Sequence, residues 1–324
     1  MKFIHCADLH LASPMESRLS PEKARTRRNE LFDAFSRLAD RAVQEEVSAV
    51  LVAGDIFDEK NVPITAKRKF IKIVAAHPQV DFLCISGNHD RSLSADTDLP
   101  DNLKTFGADW VKYSYGEVDI YGIESTNENC GAIYEALCPD PARINVVMMH
   151  GQIVESRATP TVDTVILPYL KDKGIDYLAL GHIHSYVLAP LDDRGVYCYS
   201  GCLEGRGYDE IGRKGYVLLD IKDGRIDSTF VPFSERTIHE ISLDISDLYE
   251  NYDIEQILSL HLSDIDEKDL LKVVLEGQVG SHARVFAEDL EEKLNKRFFP
   301  CPSQGSHHPE DRPCRLSERA VLEG

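Results

Sequence analysis

Residues 2–10 read KFIHCADLH, an apolar run of strand length that stops at Asp8, with His10 two residues further on. Residues 48–58, SAVLVAGDIFD, repeat the pattern, the run from Ser48 to Ala53 halting at Gly54 and Asp55. Between them, Leu31, Phe32, Phe35, Leu38, Ala39, Ala42 and Val43 recur at intervals of three and four, which predicts an amphipathic helix over 24–46. A second helical stretch over 64–76 leads into a third apolar run, Val80 to Ile85, that ends at Ser86, Gly87 and Asn88. Strand, helix, strand, helix, strand in this order predicts parallel strands joined by crossover helices.

From about Trp110 the spacing tightens. Strands are expected over 109–113, 118–123, 144–150 and 177–180, with a helix near Val165–Asp172 and mainly hairpins from there to Phe233. Asp192-Asp193-Arg194-Gly195 and Lys222-Asp223-Gly224-Arg225 supply the turns. A helical half followed by a strand-rich half points to two sheets packed face to face with helices outside. A second unit begins near His239, with strand, helix, strand and helix over about 60 residues, a marginal core alone. The expected organisation is a first domain over 1–236, an acidic partial unit over 237–299, and a tail over 300–324 with four prolines and no apolar period, which reads as disordered.

The 324 residues carry 36 Lys+Arg against 55 Asp+Glu, a formal charge of −19. With 43% apolar and 28% charged residues, collagen-like, disordered and disulfide-scaffold classes are excluded. No uncharged apolar run approaches the roughly 18 residues of a membrane span, and Asp8 interrupts the N-terminus too early for a signal peptide. Eight cysteines without a Cys-x-x-Cys pair read as reduced thiols of a cytoplasmic protein. Between Glu240 and Glu292 there are 15 acidic and 3 basic residues, so most of the negative charge is concentrated in the second unit. Phosphate binding ordinarily rests on Lys and Arg. A net negative chain meets that requirement only if its acid sits apart or is neutralised by bound cations.

Five predicted strand ends carry metal-capable groups: Asp8-Leu9-His10, Gly54-Asp55-Ile56-Phe57-Asp58, Gly87-Asn88-His89-Asp90, His150-Gly151 and Gly181-His182-Ile183-His184. In open α/β sheets ligands gather outside the carboxyl ends of the strands. Asp8, His10 and His184 suit one divalent ion, and Asn88, His150 and His182 a second, with Asp55 bridging. Carboxylate, imidazole and amide oxygen together suit manganese or iron, and zinc less. Each cluster alone has an ordinary reading as a turn, a cap or a buried histidine; five in this order point to one metal site.

The same motifs resemble the calcineurin-like metallophosphoesterases. FIHCADLHL (3–11), VLVAGDIFD (50–58) and YSGCLEGRGYDEIGRKGYVLLDI (199–221) are similar to the bacterial SbcD-type DNA repair exonucleases within them, over about residues 1–235. The resemblance implies an α/β fold, a four-layer αββα sandwich followed by a capping domain, of which this chain carries only a small, incomplete α/β unit. It implies two manganese ions and hydrolysis of DNA phosphodiesters. By position, Asp8, His10, Asp55, Asn88, His150, His182 and His184 are the expected metal ligands, and His89 the non-ligand catalytic histidine. Asp58 and Asp90 stand behind them; Asp90 orients His89 or simply caps its loop. Archaeal and eukaryotic relatives usually have a second histidine where this sequence has Asp58. Implied partners are DNA, a second copy of the chain and an SbcC-type coiled-coil ATPase, although no docking helix follows residue 299 and the chain reads as a truncated member.

The cations Lys23, Arg25, Arg27 and Arg28, and Arg206 and Arg213 in the Gly-rich stretch 201–215, are candidates for a DNA backbone or equally for solvated surface charge. Two alternatives share the sequence evidence. One is a small-molecule phosphodiesterase or phosphatase using the same ligands. The other is a non-catalytic assembly module whose metal is structural.

Overall fold

A computed structural model describes residues 1–15, 21–58, 62–87, 99–246, 248, 250–277 and 287–298, together with the backbone of 314–319. The elements are β1 (Lys2–Cys6), α1 (Pro21–Gln44), β2 (Ala49–Ala53), α2 (Ile64–Ala75), β3 (Asp81–Ile85), β4 (Leu103–Thr105), β5 (Val111–Tyr115), β6 (Val118–Gly122), α3 (Ile133–Ala136), β7 (Ile144–His150), β8 (Gln152–Val154) and β9 (Thr164–Ile166). They continue with β10 (Tyr177–Gly181), β11 (Val187–Pro190), β12 (Val196–Tyr199), β13 (Gly215–Lys222), β14 (Arg225–Pro232), β15 (Ile238–Asp244), α4 (Asn251–His261), β16 (Leu270–Glu276), α5 (Ala287–Arg297) and β17 (Cys314–Arg319).

The chain divides into two compact units. The first comprises Met1–Ser13, Arg28–Glu204 and Lys214–Ser234. It holds two six-stranded sheets, ordered β14-β13-β1-β2-β3-β4 and β11-β12-β10-β7-β6-β5. Strands β1 to β4 run parallel, as do β6, β7, β10 and β12. Alternation along each strand separates two faces. Phe3, Ala7, Leu51, Ala53, Leu83 and Ile85 meet Val118, Ile120, Val146, Met148, Tyr177 and Ala179 in one buried core between the sheets. On the outer face of the first sheet, Phe35 of α1 stacks on Phe70 of α2 at 5.0 Å and meets Phe82 of β3 edge-on at 5.9 Å. On the outer face of the second sheet, Val147, Met149, Leu178 and Leu180 are covered by Ile133, Tyr134, Leu167 and Leu170.

That second covering layer departs from the sequence reading. The helix expected near Val165–Asp172 is a strand, β9, paired with β8, followed by a single 3-10 turn at Leu167–Tyr169. Val165 and Ile166 are β-branched and favour the strand, and Pro168 then occupies the first positions of the turn.

The second unit comprises Pro14–Arg27, Gly205–Arg213 and Glu235–Gly324. Its parallel sheet β15-β16-β17 is covered by α4 and α5, with Leu243, Ile254, Leu258, Leu271, Val273, Leu290, Leu294 and Phe298 in the core. Two earlier excursions of the chain belong to it: Tyr208 is buried with Ile238 and Leu270, and an Arg27 Nη donates to the Gly205 carbonyl. Of the tail, the backbone of β17 pairs with β16; residues 300–313 and 320–324 lie outside the described residues. Among the described residues no helix is long and apolar enough to cross a membrane.

Candidate metal centre

The five predicted clusters follow β1, β2, β3, β7 and β10, parallel strands of the two sheets in the first unit. The loops after β1 and β2 run side by side: the Asp8, His10 and Leu11 amides donate to the carbonyls of Gly54, Asp55 and Ile56 at 3.0, 3.0 and 2.8 Å. This pairing survives past the strand ends because the backbone turns into the left-handed region at Asp8 (φ 51°), His10 (φ 44°), Gly54 (φ 93°) and Asp55 (φ 51°). His182, after β10, has φ 102°. Outside glycine this region is sparsely populated and costs about 1–3 kcal/mol per residue, held only where surrounding structure over-determines it.

These turns bring the side chains together. One donor atom each from Asp8, His10 and His184 lie within 4.8 Å of one another, and so do one each from Asp8, Asp55 and His150. Asp8 is thus common to both groups. Asp55 Oδ2 stands 3.9 Å from His10 Nε2 and 3.5 Å from His150 Nε2, between the two imidazoles. The His182 amide donates to Asp8 Oδ1 and Oδ2 at 2.9 and 3.1 Å, and its ring meets that of His150 edge-on at 5.4 Å. Asn88, His89 and Asp90 lie outside the described residues.

The donor set fits divalent ions. Asp8 and Asp55 are only 1% and 2% exposed, and carboxylates buried so deeply call for cations or strong donors beside them. His10 Nε2 and His184 Nε2 face each other at 3.1 Å, a separation that requires a proton or a cation between two ring lone pairs. His150 Nδ1 lies 3.0 Å from the Ala53 carbonyl, which only an N–H can approach, so its Nε2 carries the lone pair directed toward Asp55. Burial pushes the His150 pKa down, against the pull of Asp55, and keeps the ring neutral and ready to ligate. His10 Nδ1 rests 2.9 Å from Asp58 Oδ1, while Ser13 Oγ donates to Asp58 Oδ2 at 2.8 Å.

Close packing behind the ligands explains two glycines. A Cβ on Gly54 would overlap the His150 ring, and one on Gly87 would overlap the Asp55 carboxylate. Two supporting residues escape the sequence reading. Lys214 is buried and donates from Nζ to the His184 carbonyl at 2.9 Å. Tyr199 OH donates to the Gly151 carbonyl at 2.8 Å and accepts from the Ile153 amide at 2.9 Å, bracing the turn after His150. Neither has a spacing signal. Only their place inside the Gly-rich stretch and beside it marks them.

Fold and donor set together define a metal-dependent phosphoester hydrolase. Residues 1–186 match the calcineurin-like phosphoesterase family, and the chain belongs to it. Among its relatives, the uncharacterized metallophosphoesterase YhaO of Bacillus subtilis is 32% identical over 71% of this chain and 60% of that protein. The DNA double-strand break repair protein Mre11 of Saccharolobus solfataricus is 26% identical over 86% of this chain and 76% of its own. The chain therefore spans about 60% of the length of the Bacillus relative. Among solved structures, a dimetal phosphatase from Danio rerio shows 12% identity and a TM-score of 0.48 over 72% of this chain and 99% of that one.

Proposed function

We propose that the protein is a two-metal, manganese-dependent phosphodiesterase acting on DNA, a nuclease of the repair type working from DNA ends in the cytoplasm. The observation that carries the reading is the pair of donor groups sharing Asp8 at adjoining strand ends. The name of the Saccharolobus relative supports DNA as the substrate.

On this reading Asp8, His10 and His184 hold one ion, Asn88, His150 and His182 hold the other, and Asp55 reaches both. Two divalent ions bound there supply charge neutralisation for the phosphoryl oxygens and a lowered pKa for the attacking water. The chain's own residues do the rest. His150, neutral and fixed by the Ala53 carbonyl, and His10, backed by Asp58, keep their Nε2 lone pairs aimed inward. His89 gives a proton to the leaving oxygen, with Asp90 next to it in the sequence.

The test is digestion of end-labelled DNA with manganese by the wild-type chain and by His89→Gln. We expect metal-dependent cleavage that falls by about 10²–10⁴-fold in the variant, while bound metal is unchanged. Near-normal cleavage by His89→Gln removes the assigned acid. The net charge of −19 favours a second reading, a small-molecule diesterase. Turnover of bis-p-nitrophenyl phosphate without cleavage of DNA selects it.

A further inference from the structure

A nuclease with so negative a chain needs a cationic surface somewhere, and burial removes several of the obvious candidates. Lys23 and Arg27 are 4% and 0% exposed, and Arg206 is paired with Glu210 at 2.9 Å. Several cations of the first unit face outward, among them Lys171 and Arg225, and α2 carries a compact group of them close to the ligand loop. Its twelve residues, ITAKRKFIKIVA, include Lys67, Arg68, Lys69 and Lys72 and no acid. Ala66, Phe70 and Val74, four apart, turn inward. Arg68, Lys69 and Lys72 stand exposed on the other side. Among the described residues none of these three is in ion-pair contact with a carboxylate. Lys69 Nζ lies 4.4 Å from the centroid of the Phe32 ring of α1.

The position of α2 connects this face to the ligands. Phe70 packs edge-on against Phe57 at 5.8 Å, and Phe57 belongs to the loop that carries Asp55 and Asp58. The cationic side is thus about one helix diameter, roughly 10 Å, from the ligand loop. Arg68 and Lys72 are separated by about 6 Å of helix rise. A duplex presents about one negative charge per 1.7 Å of axis, so both side chains meet phosphates at once. Long flexible cations without a carboxylate partner match a polyanion better than an apolar surface.

We infer that the exposed face of α2, through Arg68, Lys69 and Lys72, docks the phosphate backbone of DNA beside the metal centre. This rests on the DNA reading above and adds the surface that delivers the strand. Each phosphate neutralised contributes about 0.9 to the slope of log affinity against log salt. Arg68→Gln/Lys72→Gln is therefore expected to lower that slope by about 1.8. The ratio of wild-type to variant affinity is then expected to shrink about twelvefold between 50 mM and 200 mM salt.

The experiment measures duplex binding across this salt range for the wild-type chain, for Arg68→Gln/Lys72→Gln and for the charge-keeping Arg68→Lys/Lys72→Arg. Bis-p-nitrophenyl phosphate turnover and thermal midpoints run alongside. Support is a shallower slope in the first variant alone, unchanged small-diester turnover in all three, and protection of Lys72 from acetylation by bound DNA. An unchanged slope with DNA still bound and cut overturns the α2 assignment and leaves the nuclease reading standing. A wild-type chain that turns over the small diester yet does not bind DNA overturns both. Loss of small-diester turnover in the first variant also overturns the assignment, because α2 would then act through the ligand loop.

Discussion

Replacing Asp58 by alanine is expected to weaken metal binding without unfolding the chain. The carboxylate lies 2.9 Å from His10 Nδ1 and accepts from Ser13 Oγ at 2.8 Å, so its position is fixed from the far side. Asp58 Oδ1 stands at ion-pair distance from Nδ1 without the alignment of a hydrogen bond; a ring proton on Nδ1 turned toward it would leave Nε2, 3.1 Å from His184 Nε2, its lone pair. A carboxylate behind a ligating imidazole raises its basicity and locks its rotation, and loss of such partners typically costs about 10–100-fold in metal affinity, or about 1.4–2.7 kcal/mol. Asp58→Asn keeps the shape and loses the charge, so about tenfold is expected; Asp58→Ala loses both and moves toward about 100-fold. Ser13→Ala removes only the brace and falls below either. Titration calorimetry of manganese into chelator-treated protein measures the series, with metal-free thermal midpoints as the control for folding. Wild-type affinity in Asp58→Ala would show that His10 is held by its backbone turn alone, and the reasoning fails.

Two further outcomes follow from buried groups. His5 is fully buried, with Nδ1 3.0 Å from Tyr177 OH, and burial pushes its pKa down to about 3. Below about pH 6.5 the unfolded chain therefore binds a proton that the folded chain refuses, so stability rises with pH from about 3 to 6.5 at about 1.4 kcal/mol per unit. Relative to His5→Phe, the wild-type chain should lose about 2 kcal/mol between pH 7 and pH 5; parallel urea curves at both pH values refute this. Gly54→Ala combines an unfavourable φ of 93° with overlap of the His150 ring and should cost about 2–3 kcal/mol together with the metal site, read by urea unfolding and manganese titration.

Much of the first unit is legible along the chain because each strand and helix there has a period of its own. Apolar runs that end in Asp8, Asp55 and His150 coincide with β1, β2 and β7 to within a few residues, and the turn at Asp223-Gly224 joins β13 to β14 with both residues left-handed. The second unit is less legible. Pro14–Arg27 and Gly205–Arg213 belong to it without any apolar period that would tie them to β15 or α4. The short turn after β9 misleads because Val165, Ile166, Leu167 and Leu170 satisfy helical spacing while β-branching and Pro168 decide the local backbone.

What one dimension hides most is which charges face outward. Lys23, Arg25, Arg27 and Arg28 form one of two basic clusters of equal density in the first half, and two of the four are buried. Lys214, inconspicuous in sequence, is buried on the His184 carbonyl and belongs to the architecture of the centre. The same conversion applies to the acids. Asp8 and Asp55 count toward a charge of −19, yet in the folded chain they sit buried among imidazoles, where bound cations would neutralise them. The formal charge therefore weighs against a polyanion less than its size suggests. The sign that matters is local, set by acids turned toward the metal donors and by the lysines and arginine that α2 leaves exposed.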